Sequence, residues 1–557
     1  MKLNLNLKRF FAFAVLGLMI FSSVAVAANV EDALSPRQDD SVYILLKLEN
    51  TSGFLKWAFS HENIDIFMPL ILASKESNEI LGGIEVISSF VEKTPLKSAA
   101  IIAGMNKAQV PFFQMVFTVD SELEPVVKKI ADGTATASDM AKILLGNNSP
   151  LASLAESMIK VERGNDNILR VDNELFIKAY ENLILVSVSE SEVKTAINVL
   201  ENPGTGLFGK LPRKFATHDF ALFHMDQETA KKINDDEDMP DLNEYFDKPL
   251  NVELGFERIP DKFTLSMAIN ITEALKKEYA EKIKTAEPSD GGYIKLSGLS
   301  APLAALGGVI DISPVKENKD AKEIWDSSLR QLKNRFGITE EDVLNLFKGA
   351  FSISVNDSVM FENFKIPAVY ISQTGIKGAA EKLYEKLAKS PHFQKVRDGV
   401  LQIDSSISPI SCLIEDKGET IGINFADLAN LSGTPSVKPA LNELMNKKAT
   451  SAMWIDFAGI QAWFNDDENG ILAVTAPMAR LMGYGDIFDA VRDVLGAKFS
   501  VPSMSFWSES SEVFYMDFAV VDVKPEDCLT SKLVKIARKF IDLEKTEEKS
   551  EEKTPEK

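Results

Sequence analysis

The chain spells the same acidic phrase twice. "NDDEDMP" occupies residues 234–240 and "NDDENG" occupies 465–470, so Asn-Asp-Asp-Glu returns after 231 positions. The surroundings return with it. "HDFALFHMDQETAKKINDDEDMP" (218–240) matches "ATSAMWIDFAGIQAWFNDDENG" (449–470) in order: a short β-like run, an aspartate (Asp226, Asp456), a helical stretch, then the tetrad. Earlier, "VYILLKLENTSGFLKWAF" (42–59) faces "GYIKLSGLSAPLAALGGV" (292–309), with Tyr43 and Tyr293 250 positions apart. Later, "VELGFERIPDKFTLSMAIN" (252–270) faces "PSMSFWSESSEVFYMDFAVV" (502–521), with Phe256 and Phe506 again 250 apart. Each of these last stretches alternates around a polar turn, which reads as a β-hairpin. A shared order at a near-constant offset predicts one ancestral unit copied once.

Between these landmarks lies one more pair. "RVDNELFIKAYENLILVSVSESEVKTAINVL" (170–200) reads as strand, turn at Glu181-Asn182, strand, helix. Ser189 and Glu192 have capping-box spacing. In the second half (395–431), turns are expected at Asp398-Gly399 and Lys417-Gly418, with Asn424 and Asp427 opening a helix. Strands come as hairpins with helices interspersed and no regular βαβ alternation. The expected fold class is therefore α+β, two tandem related modules of mainly antiparallel sheet packed by helices. The modules are placed at 40–285 and 290–543, joined at "TAEPSDGG" (285–292), a Pro/Gly/Ser cluster.

The two ends set an address. Residues 1–27 carry Lys2, Lys8 and Arg9, then an apolar run from Phe10, then Ala25-Val26-Ala27. That is the pattern of a signal peptide cut near Ala27 or Ala28, and export to the periplasm or the cell exterior is the expected localisation. Retention of Phe10–Ala28 as an anchor is the rival reading. The far end, "EKTEEKSEEKTPEK" (544–557), has no apolar residue and is expected to be a disordered charged tail. The formal charge is -21, and removing three cations with residues 1–27 leaves 58 - 82 = -24. So acidic a chain repels the phosphate backbone, and no nucleic-acid partner is expected. Cys412 and Cys528 are the two cysteines, and the string alone does not say whether they pair. With 45% hydrophobic residues, ordinary apolar cores must hold the chain.

Several motifs imitate chemistry without completing it. "GTGLFGKL" (204–211) satisfies the glycine spacing of a phosphate loop. It follows an expected helix, however, and Leu211 and Pro212 stand where a hydroxyl residue and a helix are needed, so no nucleotide partner is expected. "SMIK" (157–160) lacks the other elements of a serine acyl-enzyme. His61, His218, His224 and His392 form no zinc pattern. His224, in an apolar strand, is expected to be structural. Cys412, in "ISCLI", is expected to be a buried inert thiol. Asp226 and Asp456 are expected as helix N-caps. "NDDENGIL" alone approaches a calcium loop: Asn465, Asp467 and Asn469 stand at positions one, three and five and Gly470 at six. Ala476 replaces the bidentate glutamate, so any Ca2+ binding there would be weak, and no other cofactor is expected.

The order of strand, turn, strand and helix in "VDNELFIKAYENLILVSVSESEVKTAI", followed by "LFGKLPRKFATHDFALFHMD", resembles a group of exported bacterial proteins of unknown function built from tandem α+β modules. The resemblance implies an address and a fold and carries no catalytic residue. The expected role is binding, scaffolding or interaction in the cell envelope, with a protein partner or an apolar ligand such as lipid. An envelope hydrolase with residues scattered in sequence is the alternative.

Overall fold

The computed structural model describes residues 40–49, 96–145, 159–202, 213–229, 249–270, 288–296, 302–312, 319–425, 438–465 and 471–535, save one or two positions at a time within these ranges (among them 362–363 and 483–484), and isolated positions before residue 65. It is a mixed α/β structure dominated by antiparallel pairing. The expected signal segment, apart from Ser23–Val24, and the 544–557 tail lie outside the described residues. The chain divides into two compact units. Unit 1 comprises Met1–Ile259, Thr264–Thr272 and Lys524–Lys557; unit 2 comprises Pro260–Phe263 and Glu273–Val523.

Unit 1 opens with three long strands, β1 (Asp40–Leu48), β2 (Leu96–Asn106) and β3 (Pro111–Val119). Asn106 makes the β2–β3 turn, its Oδ1 accepting the Ala108 and Val110 N–H groups at 2.9 and 3.0 Å. Helices α1 (Glu124–Ala131) and α2 (Ala137–Leu145) follow. Four shorter strands come next: β4 (Val161–Arg163), β5 (Leu169–Val171), β6 (Leu175–Tyr180) and β7 (Leu183–Ser187). Then come α3 (Glu190–Glu201), β8 (Asp219–Met225), β9 (Leu250–Ile259) and β10 (Lys262–Ile269). Antiparallel registers set the order β4-β5-β6-β7-β3-β2-β1-β8-β9. β10 follows β9 across Pro260-Asp261, and Asn270 N–H returns to Asn251 O at 3.1 Å.

Helices cover both faces of this sheet, which explains why β3 and β7 read as apolar runs rather than alternations. α1 and α2 bring Val126, Val127, Ile130 and Met140 onto Met115, Phe117, Ile177 and Ile184. On the other face α3 sets Val193 and Ala196 among Leu45, Ile102, Val116 and Phe220. Ser189 does stand at the N-cap of α3, but its side chain makes no cap bond. Glu192 is drawn instead to Ser187, with Ser187 Oγ 2.5 Å from Glu192 Oε2, so the expected box does not close.

Unit 2 begins with β11 (Pro302–Asp311), α4 (Lys319–Phe336) and α5 (Glu340–Leu346). It continues through β12 (Lys348–Phe361), β13 (Phe364–Gln373), α6 (Ala379–Ala388), β14 (Phe393–Arg397), β15 (Val400–Ile403), β16 (Cys412–Asp416) and β17 (Ile421–Phe425). The last part holds α7 (Pro439–Met445), β18 (Ser451–Asp456), α8 (Phe457–Phe464), α9 (Ile471–Leu481), α10 (Gly485–Leu495), β19 (Ser503–Ser510) and β20 (Val513–Ala519). Its registers, again antiparallel, give β14-β15-β16-β17-β13-β12-β11-β18-β19-β20. Subtracting ten from the labels β11 to β19 reproduces the nine-strand order of unit 1, and β20 follows β19 in the chain as β10 follows β9.

The β14–β15 turn falls at Asp398-Gly399, where Gly399 has φ 71°, as the sequence suggests. Asn424 lies buried inside β17, and Asp427, the other residue expected to open a helix, lies outside the described residues. Tyr293 lies in a 3-10 segment, Gly291–Leu296, ahead of the strand whose neighbours match those of β1. Gly292 is required there: at φ 53°, an added Cβ would lie 2.6 Å from Ala452 N. This segment and α7 bury Ile294, Leu441 and Leu444 against Trp454 and Trp507. α5 and α6 bury Leu346, Leu383 and Leu387 against Leu401, Ile414 and Ile421.

Candidate functional site

A cavity of about 500 Å3 opens in unit 1 where the start of β2 and the end of β3 meet one face of α1 and the β6–β7 turn. Val119, Val127 and Ala131 are its apolar lining, while Lys97, Lys128, Glu124, Glu181, Ser121 and Asn182 supply charge and hydrogen-bonding groups. Lys97 Nζ is 3.6 Å from Asp120 Oδ1, an ion pair beside the cavity. Glu181 holds φ 53° in the tight turn, the left-handed conformation that a two-residue hairpin demands. The volume suits a small ligand. Its lining offers both signs of charge, which suits a small polar molecule better than an acyl chain.

The buried carboxylates serve the fold. In unit 1, Asp139 accepts the Thr136 N–H and Oγ1–H, each at 2.9 Å, and the Lys129 ammonium at 2.8 Å. Burial by itself would raise this carboxyl, but the Lys129 and Thr136 bonds outweigh it and hold it below the ordinary range. In unit 2, Asp342 closes a capping box with Thr339 and takes Lys386 and Lys382 as ion-pair partners, the latter at 3.2 Å. The same balance applies: burial raises, and the lysine and threonine bonds prevail, so its carboxyl stays well below the ordinary range. Glu253, buried on β9, accepts Arg213 Nε at 2.7 Å and the Lys214 N–H at 2.6 Å. A Tyr–Glu–Lys cluster lies on the unit 2 sheet. Tyr370 Oη donates to Glu415 at 2.9 Å, and Lys417 Nζ sits 4.5 Å from the Tyr370 ring centre. Burial first, and Glu415 second, push the Tyr370 phenol far up, so it stays protonated and donates to Glu415.

Asp226 Oδ1 accepts the Thr229 N–H at 2.6 Å, and Asp456 Oδ1 accepts the Gly459 N–H at 3.0 Å. Both aspartates therefore act as caps at the ends of strands that hold the same place in their sheets. His224 stacks on Tyr43 with ring centres 4.7 Å apart and has Nδ1 2.7 Å from Asn251 Oδ1, a structural arrangement. Cys412 and Cys528 are buried free thiols, and burial pushes the Cys412 thiol up to about 11. Of the calcium-like residues, Asn465 caps the end of α8 and its side-chain amide donates to Leu495 O. Asp467 and Asn469, the 234–240 tetrad, Ser157 of "SMIK" and residues 204–211 lie outside the described residues. Among the described residues, no group of three His, Cys, Asp or Glu side chains is arranged to hold a metal ion. Nor is any described helix long and apolar enough to cross a membrane. The cavity had no sequence signature, because the 119–131 stretch is completed only by Lys97 and by the turn at Glu181-Asn182, some fifty positions further on.

No family model matches the chain, and no curated protein matches it. A solved structure described as crystal form IV of TP0453 is similar at 10% identity, over 46% of this chain and 87% of that chain, with a TM-score of 0.23. A likeness that slight carries no argument.

Proposed function

We propose that this chain is an exported cell-envelope protein made from two copies of one α+β unit, and that it works by binding rather than by chemistry. The shared pairing order carries the reading. Two independent folds have no reason to agree over nine strands one by one, whereas a copied gene segment does. The paired caps Asp226 and Asp456 support it at residue level. A binding role is supported by how the buried ionisable groups are spent: Asp139, Asp342 and Glu253 each hold local structure through lysine, arginine or backbone partners. The unit 1 cavity then offers the ligand site. Native mass spectrometry of the protein purified from its host tests this reading. A stoichiometric co-purifying small molecule or protein partner is expected; a bare chain that hydrolyses an ester or peptide substrate would overturn it. N-terminal sequencing after fractionation tests export, with a start at Ala28 or Asn29 expected and an intact Met1 in the cytoplasm contrary.

A further inference from the structure

Twelve large apolar side chains stand exposed among the described residues, and nine are scattered through both units. The other three fall within five positions: Met478 at 64% exposure, Leu481 at 88% and Met482 at 66%. Scattered exposure is ordinary, but a contiguous patch has a purpose more often than not. Positions 478, 481 and 482 have the i, i+3, i+4 spacing that places side chains on one face of a helix. They sit where α9 ends, at the tip of the hairpin it forms with α10, and Arg480 beside them is 3.4 Å from Asp489 on α10.

We propose that this hairpin tip docks shallowly onto a lipid bilayer, with Met478, Leu481 and Met482 entering the boundary between headgroups and acyl chains. Area decides against a second copy of the chain as the occupant. Three such side chains offer roughly 300 Å2 of apolar surface. A stable protein–protein interface needs about 800 Å2 from each partner. A bilayer sets no such threshold, because interfacial binding grows with whatever apolar area enters it. Charge selects the surface: the chain is strongly acidic with or without residues 1–27, so anionic headgroups repel it, and Arg480 beside the patch is paired with Asp489. Neutral, zwitterionic lipid is the fitting partner. The tip belongs to unit 2 and shares no residue with the lining of the unit 1 cavity, so this inference does not rest on the proposed ligand site.

Flotation of the mature full-length chain with phosphatidylcholine vesicles tests it. A partition constant on the order of 10⁴ M⁻¹ is expected, like that of a single acyl anchor, so about 1 mM lipid should float most of the protein. Leu481→Ser with Met482→Ser should lower that constant at least tenfold while leaving the circular dichroism spectrum and melting temperature unchanged. Adding anionic lipid should weaken binding. Absence of flotation by the wild-type chain, or equal flotation by the double variant, overturns the proposal. So does a wild-type dimer in sedimentation that the same substitutions dissociate, which would make a second copy the occupant. A co-purified ligand retained by the double variant would leave the unit 1 reading intact whichever way flotation falls.

Discussion

Replacing Asp342 with alanine removes several contacts from one buried position. The Thr339 N–H and hydroxyl lose the carboxylate that accepts from them, a change that costs about 1 kcal/mol, while the backbone N–H at 342 still reaches Thr339 Oγ1. Lys382 is 55% exposed, so its pair with Asp342 is screened by water and contributes at most about 0.5 kcal/mol. Lys386 is 29% exposed and pairs with a carboxylate only 2% exposed, so about 1 kcal/mol more is expected from that contact. The expected loss is therefore about 2–3 kcal/mol in the unfolding of unit 2. Four of the five tryptophans, Trp325, Trp454, Trp463 and Trp507, lie in unit 2, so urea unfolding followed by tryptophan fluorescence in a Trp57→Phe background reads that transition. The sign of the pH dependence follows from the depressed carboxyl. Its folded pKa is below the unfolded value of about 3.9, so the stabilisation is complete above that value and disappears as pH falls through it toward the folded one. The gap between wild type and Asp342→Ala should be full at pH 7 and should shrink below about pH 4. A loss under about 0.5 kcal/mol, or a gap that does not change with pH, would refute the assignment of Asp342 as the centre of a charged cap.

Other expectations follow from the same contacts. Asp226→Ala should cost about 1 kcal/mol, and Asp456→Ala more, because Asp456 also pairs with Lys438; thermal melts compare the two. Gly422→Ala should destabilise unit 2, since the new Cβ would meet the Tyr370 hydroxyl at 2.2 Å, and combining it with Tyr370→Phe should recover part of the loss. Cys412 and Cys528 should resist a thiol reagent at pH 8 in the native chain and both react in denaturant without reductant, two thiols per chain in a colorimetric assay. Arg213→Ala should cost about 3 kcal/mol in unit 1, because it strips the buried Glu253 carboxylate of its guanidinium partner; urea unfolding measures it.

Much of the local architecture was legible in the string. The Phe256 and Phe506 hairpins, the turns at Glu181 and Gly399, and the caps at Asp226 and Asp456 depend on residues within a few positions of one another, and their signals are turn chemistry and alternation. Where two acceptors or two partners compete, the string was insufficient. Ser189 and Glu192 had the spacing of a box, yet Ser187 took Glu192, while the box that does close in unit 2 uses Thr339 and Asp342. Tyr293 matched Tyr43 in offset, but it lies in a 3-10 segment, because only strand pairing identifies which run sits beside β12 and β18. The sequence by itself determined the antiparallel hairpins, the acidic balance and the buried character of Cys412. Which hairpins lie side by side, which lysine reaches Asp342, and where distant residues enclose a cavity were decided only by tertiary structure. Those outcomes depend on contacts between residues tens to hundreds of positions apart, and local periodicity carries no information about them.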